Sequence, residues 1–412
     1  MSSKNKIDNP KFERFFDLKF SFKNSFENIN KFIKHLNPII EKADKEDQEK
    51  MVQAIKAAYK NAGVELDKIN KDEVLKLTDE QKKIIYKSIQ IPERQSPDKD
   101  GTLWKSNFVL LISSFEYLIS DIISFYYKFY PNSILDKSFE VNIKSIFEYS
   151  SIDELVDDVI SRKVEGLLYK SFAEQKEFLK KELKINLNEK IINWDLVNES
   201  ILRRHLIVHN NSKINKRYLS EAHKDFTKDL KELKEGSKVI ISKSYFNTVY
   251  QELYSAGHIL IQECWRKWLS EFEEVANADL VDLTFEGNKM NYFLIAEKIG
   301  KFGKELSTIN NDFRFRININ YCLALKGQNK KNELENEIKK IDISNLSPIF
   351  VLAYFSLQDD CKNALTHIKN AKSVDNLEYE DVLTWPLFEG LRKNDDFISR
   401  VNKIYRKKLL PT

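Results

Sequence analysis

Three features of the sequence predict an all-α fold, a helical bundle followed by short helical repeats. Glycine (10) and proline (8) are scarce in 412 residues, and sheets and long loops use more of both. Apolar residues recur at three-to-four spacing through long windows, the period of one helix face. Near the C-terminus the sequence resembles itself at a distance of 30 residues, the mark of stacked helix pairs.

The elements follow in order. From 12 to 60 the apolar positions Phe15, Phe16, Phe20, Phe22, Phe26, Ile29, Phe32, Ile33 and Leu36 read as one or two helices, broken near Pro38 and Gly63. A loop is expected over 88–103, with Pro92, Pro97 and Gly101. Trp104, Phe108, Leu111, Phe115, Leu118, Ile122, Tyr126 and Phe129 then step by 4, 3, 4, 3, 4, 4 and 3, one continuous apolar stripe that Pro131 ends. Glu116, Asp121 and Lys128 interrupt this apolar stretch, so it reads as a buried amphipathic helix and not a membrane span.

Asp153–Ser161 and Ser171–Lys184 read as helices. So does Trp194–Val208, with Asn193 as N-cap and Asn210-Asn211-Ser212 as the break after it. A polar helix over Tyr218–Lys234 and a turn at 235–237 lead to a long helix over Ser244–Phe272. Its Tyr245, Val249, Leu253, Gly257, Ile261, Trp265 and Leu269 lie four apart. Beyond about 285 the texture is short helix pairs. Tyr321–Gln328 aligns with Val351–Gln358, and in that register Leu334 meets Ala364, Ile338 meets Ile368 and Ile341 meets Ala371. Leu387–Tyr405 reads as a looser third copy. Such pairs resemble tetratricopeptide-like repeats. The organisation expected is a helical segment over 1–100 that completes or caps the bundle, a central domain over 101–275 and a repeat domain over 285–412.

Composition narrows the function. Charged residues at 32% and a mean hydropathy of −0.49 argue against an integral membrane protein. With 42% hydrophobic residues the chain is not a disordered one. The net charge of +4, from 67 Lys and Arg against 63 Asp and Glu, gives no whole-chain indication of a nucleic-acid partner. Cys264, Cys322 and Cys361 are scattered and odd in number, which suits a reducing cytoplasm. The polar N-terminus has no apolar leader, and a cytoplasmic location is expected. No HExxH, paired Cys/His set, P-loop or GxGxxG occurs, so neither metal nor cofactor is expected.

One polar constellation stands out. Glu199-Ser-Ile-Leu-Arg-Arg-His-Leu-Ile-Val-His-Asn-Asn211 places Arg203, Arg204, His205 and His209 within seven residues. Arg204 and His209 lie five apart, about 140° beyond a full helical turn, so both can border one cleft if the helix ends near His209. Arginine holds a phosphate bidentately and stays charged. Histidine takes or gives a proton near neutrality. RNA supplies its own nucleophile, the 2′-hydroxyl, so a histidine that activates it or protonates the 5′-oxygen, with an arginine on the phosphate, suffices for cleavage to a 2′,3′-cyclic phosphate or 3′-phosphate and a 5′-hydroxyl. One such pair is sparse, and two facing each other across a dimer would supply acid, base and anion clamp.

These residues resemble a known family. Arg204-His205-Leu-Ile-Val-His209-Asn210 is similar to the R-x4-6-H signature of HEPN-domain ribonucleases. The segment Trp104–Asp121, with its Ser-x-x-Glu116, and the Tyr130-Pro131 that follows resemble the first long helix of the RiboL-PSP-like subgroup. Lys238–Tyr245 and the helix after it look like the closing part of that domain. The resemblance covers about 100–272. It implies Arg204 and His209 as catalytic residues, His205 and Asn210 in support, a homodimer through the motif helices, and RNA cleavage in phage defence, abortive infection or as a toxin. Where some members carry a tyrosine two residues after the histidine, this chain has Asn211, so modification there is not expected.

Further expectations are weaker. Glu116 either orients Arg204 or His209 or edges the apolar stripe. Glu199 pairs with Arg203 as surface electrostatics. Arg203, Lys213, Lys216 and Arg217 are weak candidates for guiding an RNA backbone. His35, His223, His258 and His367 are isolated and read as structural. The C-terminal repeats offer a surface for a protein trigger or regulator. The alternative function is a non-catalytic HEPN scaffold that binds a nucleotide, RNA or protein.

Overall fold

The structure, a computed structural model, describes residues 9–64, 77–88, 99–135, 149–222 and 234–407. It is all-α: among the described residues there is no strand, only an isolated bridge between Lys213 and Lys238.

The first helix, α1 (Pro10–Asn61), starts where its chemistry favours a start. Asn9 Oδ1 accepts from the Lys11 and Phe12 amides at 3.0 and 3.2 Å, and Pro10 takes the first helical position. The break expected near Pro38 does not occur. A mid-helix proline costs about 3 kcal/mol, but Pro38 is exposed, and both flanks are held by packing. Phe15, Leu18, Phe22, Phe26, Ile29 and Ile33 bury one stripe before it. After it, Ala58 and Ala62 close on Ile85 of α2 (Asp79–Ser88). The end near Gly63 is as expected, with that glycine at φ 71°.

Helix α3 (Lys99–Phe129) begins inside the expected 88–103 loop, so Gly101 is helical; residues 89–98 of that loop lie outside the described residues. Its predicted stripe is the core face: Trp104, Phe108, Leu111, Phe115, Leu118 and Ile122 are all buried. By length and composition the stretch 101–129 is apolar enough to cross a membrane, and half of its most apolar window is buried inside the protein.

Helix α4 (Ile152–Leu168) is longer than the predicted 153–161, and α5 (Phe172–Lys181) stops short of Lys184. The predicted motif helix is α6 (Trp194–His209). Only Lys216–Glu221 of the expected 218–234 helix is described, as α7; it ends at Ala222, and 223–233, with His223, lie outside the described residues. Helix α8 (Lys243–Trp268) is buried almost all round and packs against α1, α3 and α6. Its Gly257 lets α1 approach: a Cβ there would stand 2.2 Å from the Phe22 ring. The neighbouring His258 is fully buried between the Phe22 and Tyr254 rings, and burial holds it well below the ordinary imidazole value. It is a core residue, as are the side chains around it.

Next come α9 (Glu273–Lys289), α10 (Phe293–Glu305), α11 (Asn311–Gly327), α12 (Lys331–Ile338), α13 (Pro348–Leu357), α14 (Cys361–Asp375), α15 (Tyr379–Thr384) and α16 (Asp395–Tyr405). Three hairpins, α9–α10, α11–α12 and α13–α14, share one turn. Asn291, Asn329 and Asp359 each take left-handed φ (60°, 58° and 55°). The next amide in each donates back five residues, Tyr292 to Gly287 at 2.8 Å, Lys330 to Leu325 at 3.0 Å and Asp360 to Phe355 at 3.0 Å. Asn and Asp tolerate that conformation best among non-glycine residues. Asn329 and Asp359 are 30 apart, in the register the sequence predicted. The third member lies upstream, at Asn291. The expected copy at Leu387–Tyr405 lacks the turn: Asn394 has φ −103° and instead N-caps α16.

Among the described residues two large apolar cores result, beside the small clusters around Tyr218 and Ile85. One runs from Phe15 to Ile317 and the other from Ile319 to Val401. They divide inside α11 and not near 285, because α9 and α10 bury Leu280, Leu283, Ile295 and Ile299 in the first core. Residues of the expected 1–100 segment belong to that first core as well, through α1.

Candidate functional site

Helix α6 is pinned at its start and ends sharply. Asn193 Oδ1 accepts from the Leu196 amide at 3.1 Å. The Asn193 amide donates to Glu252 of α8 at 2.7 Å, and the same carboxylate holds Lys298 of α10 at 3.0 Å. Lys298 thereby ties the hairpin region, through Glu252, to the N-cap residue of the motif helix. At the other end the Leu206 carbonyl accepts from both Asn210 (3.0 Å) and Ser212 (2.9 Å), while Asn211 and Ser212 take φ of 47° and 61°. Asn210 Nδ2 donates to the Lys213 carbonyl at 2.6 Å. Backbone bonds from Ile214 to Ser237 and from Val239 to Ser212, both 2.8 Å, fasten the loop. The helix therefore stops at His209, as expected from Asn210-Asn211.

Behind this end lies a buried polar network. Glu199 is completely buried and pairs with Arg203 at 2.7 Å. The hydroxyls of Tyr218 and Tyr245 both donate to Glu199, and the Arg203 guanidinium stands 3.8 Å from the centre of the Tyr245 ring. Burial alone would depress Arg203, but Tyr245, Glu199 and Tyr218 hold it above its ordinary value. Burial, and then the Glu199 charge, push both phenols up, so they remain donors. Two expectations are thereby corrected. Glu199–Arg203 is not surface electrostatics, and Arg203 is not free to guide RNA, because Tyr245 covers it from a helix 42 residues further along the chain.

The opposite face of α6 is open. His205 and His209 stack one turn apart, ring centres 5.9 Å from each other. With Asn210, Asn215 and Arg217 they line a groove of about 230 Å³ floored by Leu202, Leu206 and Tyr218. Partial burial first, then the charges of Arg204, His209 and Arg217, hold His205 below the ordinary imidazole value, so near neutrality it is mainly unprotonated. Arg217 is engaged by Glu221 at 2.9 Å. Lys213 and Lys216 are exposed beside the groove without lining it.

Arg204 turns away from this groove toward α3, where Glu116 Oε2 lies 3.6 Å from its Nη2. Its Nε is buried and has no hydrogen-bond partner. Burial raises the Glu116 carboxyl, and Arg204 opposes the rise. Of the partners read from sequence, Glu116 stands within ion-pair distance of Arg204. Within one chain, His205, His209, Asn210 and Arg217 come together, and Arg204 lies on the neighbouring side of α6, against Glu116 of α3. Tyr218, Tyr245 and Asn215 were not anticipated at the site; the Glu199-x3-Arg203 spacing was the one sign that a second face needed partners.

No family model matches this chain, and no curated protein or solved structure matches it.

Proposed function

We propose that the protein is a HEPN-type endoribonuclease that cuts RNA without calling on a metal or cofactor. The reaction is attack by the 2′-oxygen on the adjacent phosphorus. A base takes the 2′-hydroxyl proton, the 2′-O–P bond forms, and the P–O5′ bond breaks as an acid protonates the departing oxygen. The products are a 2′,3′-cyclic phosphate and a 5′-hydroxyl, and atoms and charge balance with no further reagent. His209 and His205 are the proton carriers, and Arg204 neutralises charge developing on the phosphoryl oxygens. Asn210 holds the end of the helix that presents both rings, and Glu116 orients Arg204.

The observation that carries this reading is the paired exposure of His205 and His209 at the abrupt end of α6, next to an arginine whose Nε lacks a partner. A homodimer in which α6 faces its copy brings Arg204 of one chain to the histidine groove of the other. Its support is exposed apolar side chains on the two helices that carry the Glu116–Arg204 pair: Leu110 and Tyr117 on α3 and Val208 on α6 are 54%, 67% and 47% exposed. The hairpin array, similar to tetratricopeptide-like repeats, is proposed as the regulatory part, and phage defence or toxicity in the cytoplasm as the setting. A second reading, a non-catalytic HEPN scaffold, is favoured by one fact: Arg204 already has an anionic partner in Glu116.

Expression in bacteria separates the two. Wild type should slow growth, alone or on phage challenge, and leave RNA fragments with new 5′-hydroxyl ends. Arg204→Ala and His209→Ala should do neither. Intact RNA under both conditions for all three proteins would favour the scaffold.

A further inference from the structure

A groove well away from the motif helix lies in the hairpin array. It has a volume of about 400 Å³ and is built by the first helices of successive pairs, α9, α11 and α13, together with the end of α14 and with α15. Its apolar floor includes Phe285, Ile319, Phe350, Leu377 and Trp385. The charges around that floor are Asp282, Asp312, Asp375 and Asp381 against the single cation Arg316.

That cation is already used, because Arg316 binds Asp312 at 2.8 Å. Asp375 accepts the Ile349 amide at 2.9 Å, and Asp381 accepts the Glu378 amide at 2.9 Å. Neither bond brings a compensating positive charge. Asp282 is exposed on α9 and makes no ion pair among the described residues. The groove is therefore acidic in a chain whose net charge is +4. Its carboxylates do not converge on one point, as they would around a cation. They are spread over α9, α11, α14 and α15, over an aromatic and aliphatic floor.

We infer that this groove binds a protein segment bearing lysines or arginines spaced around an aliphatic or aromatic anchor. The anchor side chain enters between Phe285, Phe350 and Trp385, and the cations lie along the aspartates. Charge complementarity sets both sign and spacing, and burial of the anchor supplies most of the affinity. The inference does not rest on the nuclease reading, and its readout involves no RNA.

The test is fluorescence anisotropy with the full chain and three labelled, end-blocked nonapeptides. One alternates lysine with leucine, one has glutamate for every lysine, and one has serine for every leucine. The lysine–leucine peptide should bind at least tenfold more tightly than the other two. Asp282→Lys, an exposed change, should weaken it about tenfold, and so should Phe350→Ala, with circular dichroism matching wild type. Equal binding of all three peptides, or unchanged affinity in both variants, would overturn the inference. So would binding that emerges only in a chain ending at Lys407, because the groove would then belong to the protein's own end.

Discussion

Arg203 and Arg204 are neighbours in sequence and opposites in structure. Arg203 is 7% exposed and locked between Glu199 and the Tyr245 ring. Arg204 reaches Glu116 of α3 and keeps an unpaired Nε. Successive residues on a helix point about 100° apart, so one lies under α8 and the other faces α3. The difference shows that density of charge in a motif does not say which side chains stay accessible. Which face α8 covers decides that, and α8 is 40 residues away in the chain.

The contrast predicts opposite phenotypes. Glu199→Ala leaves a buried guanidinium without its counter-charge, which costs about 3–5 kcal/mol; thermal or urea unfolding should show it, with loss of any RNA activity following from loss of fold. Lys298→Met should cost about 2 kcal/mol, because Glu252 then loses a charged partner in a buried position. It should also loosen the start of α6, measurable as faster amide exchange over 194–200. Asn193→Ala, which removes the N-cap alone, should cost about 1 kcal/mol in the same unfolding assay. Arg204→Ala should shift stability by no more than about 0.5 kcal/mol while abolishing cleavage. Equal destabilisation by Glu199→Ala and Arg204→Ala would erase the distinction between the two faces.

A pH effect is the smallest and most specific. His205 is held below its ordinary value by partial burial first and by Arg204 and His209 next. An imidazole with a depressed folded value favours the folded state when neutral. Its contribution is therefore present above the ordinary value near 6.5 and is lost as pH falls through the folded value. Cleavage should fall over the same acid limb, and His205→Asn, which removes one of the two proton carriers, should lower the rate throughout and leave the residual rate without that limb.

Much of the fold was legible in the sequence because helix periodicity is local. The α3 stripe, the four-residue ladder of α8, the Asn193 cap and the stop at Asn210 all depend on residues within a few positions. Pro38 misled, since packing on both flanks of an exposed position outweighs one lost backbone bond. The 30-residue repeat was visible in its apolar register, yet its more regular marker, the left-handed Asn or Asp turn, placed the third member at Asn291 and not after Leu387. At the site, the exposed group His205, His209 and Asn210 was readable from the motif. The buried group was not, because Tyr218 and Tyr245 reach Glu199 from 19 and 46 residues away.

The most direct test of the proposed site uses purified wild type, Arg204→Ala and His209→Ala, each shown by unfolding to be as stable as the others, incubated with total bacterial RNA. Wild type should release fragments carrying 2′,3′-cyclic phosphate and 5′-hydroxyl ends, and both variants should leave the RNA whole. Fragments with the same ends from either variant, at the wild-type rate, would contradict the assignment of Arg204 and His209.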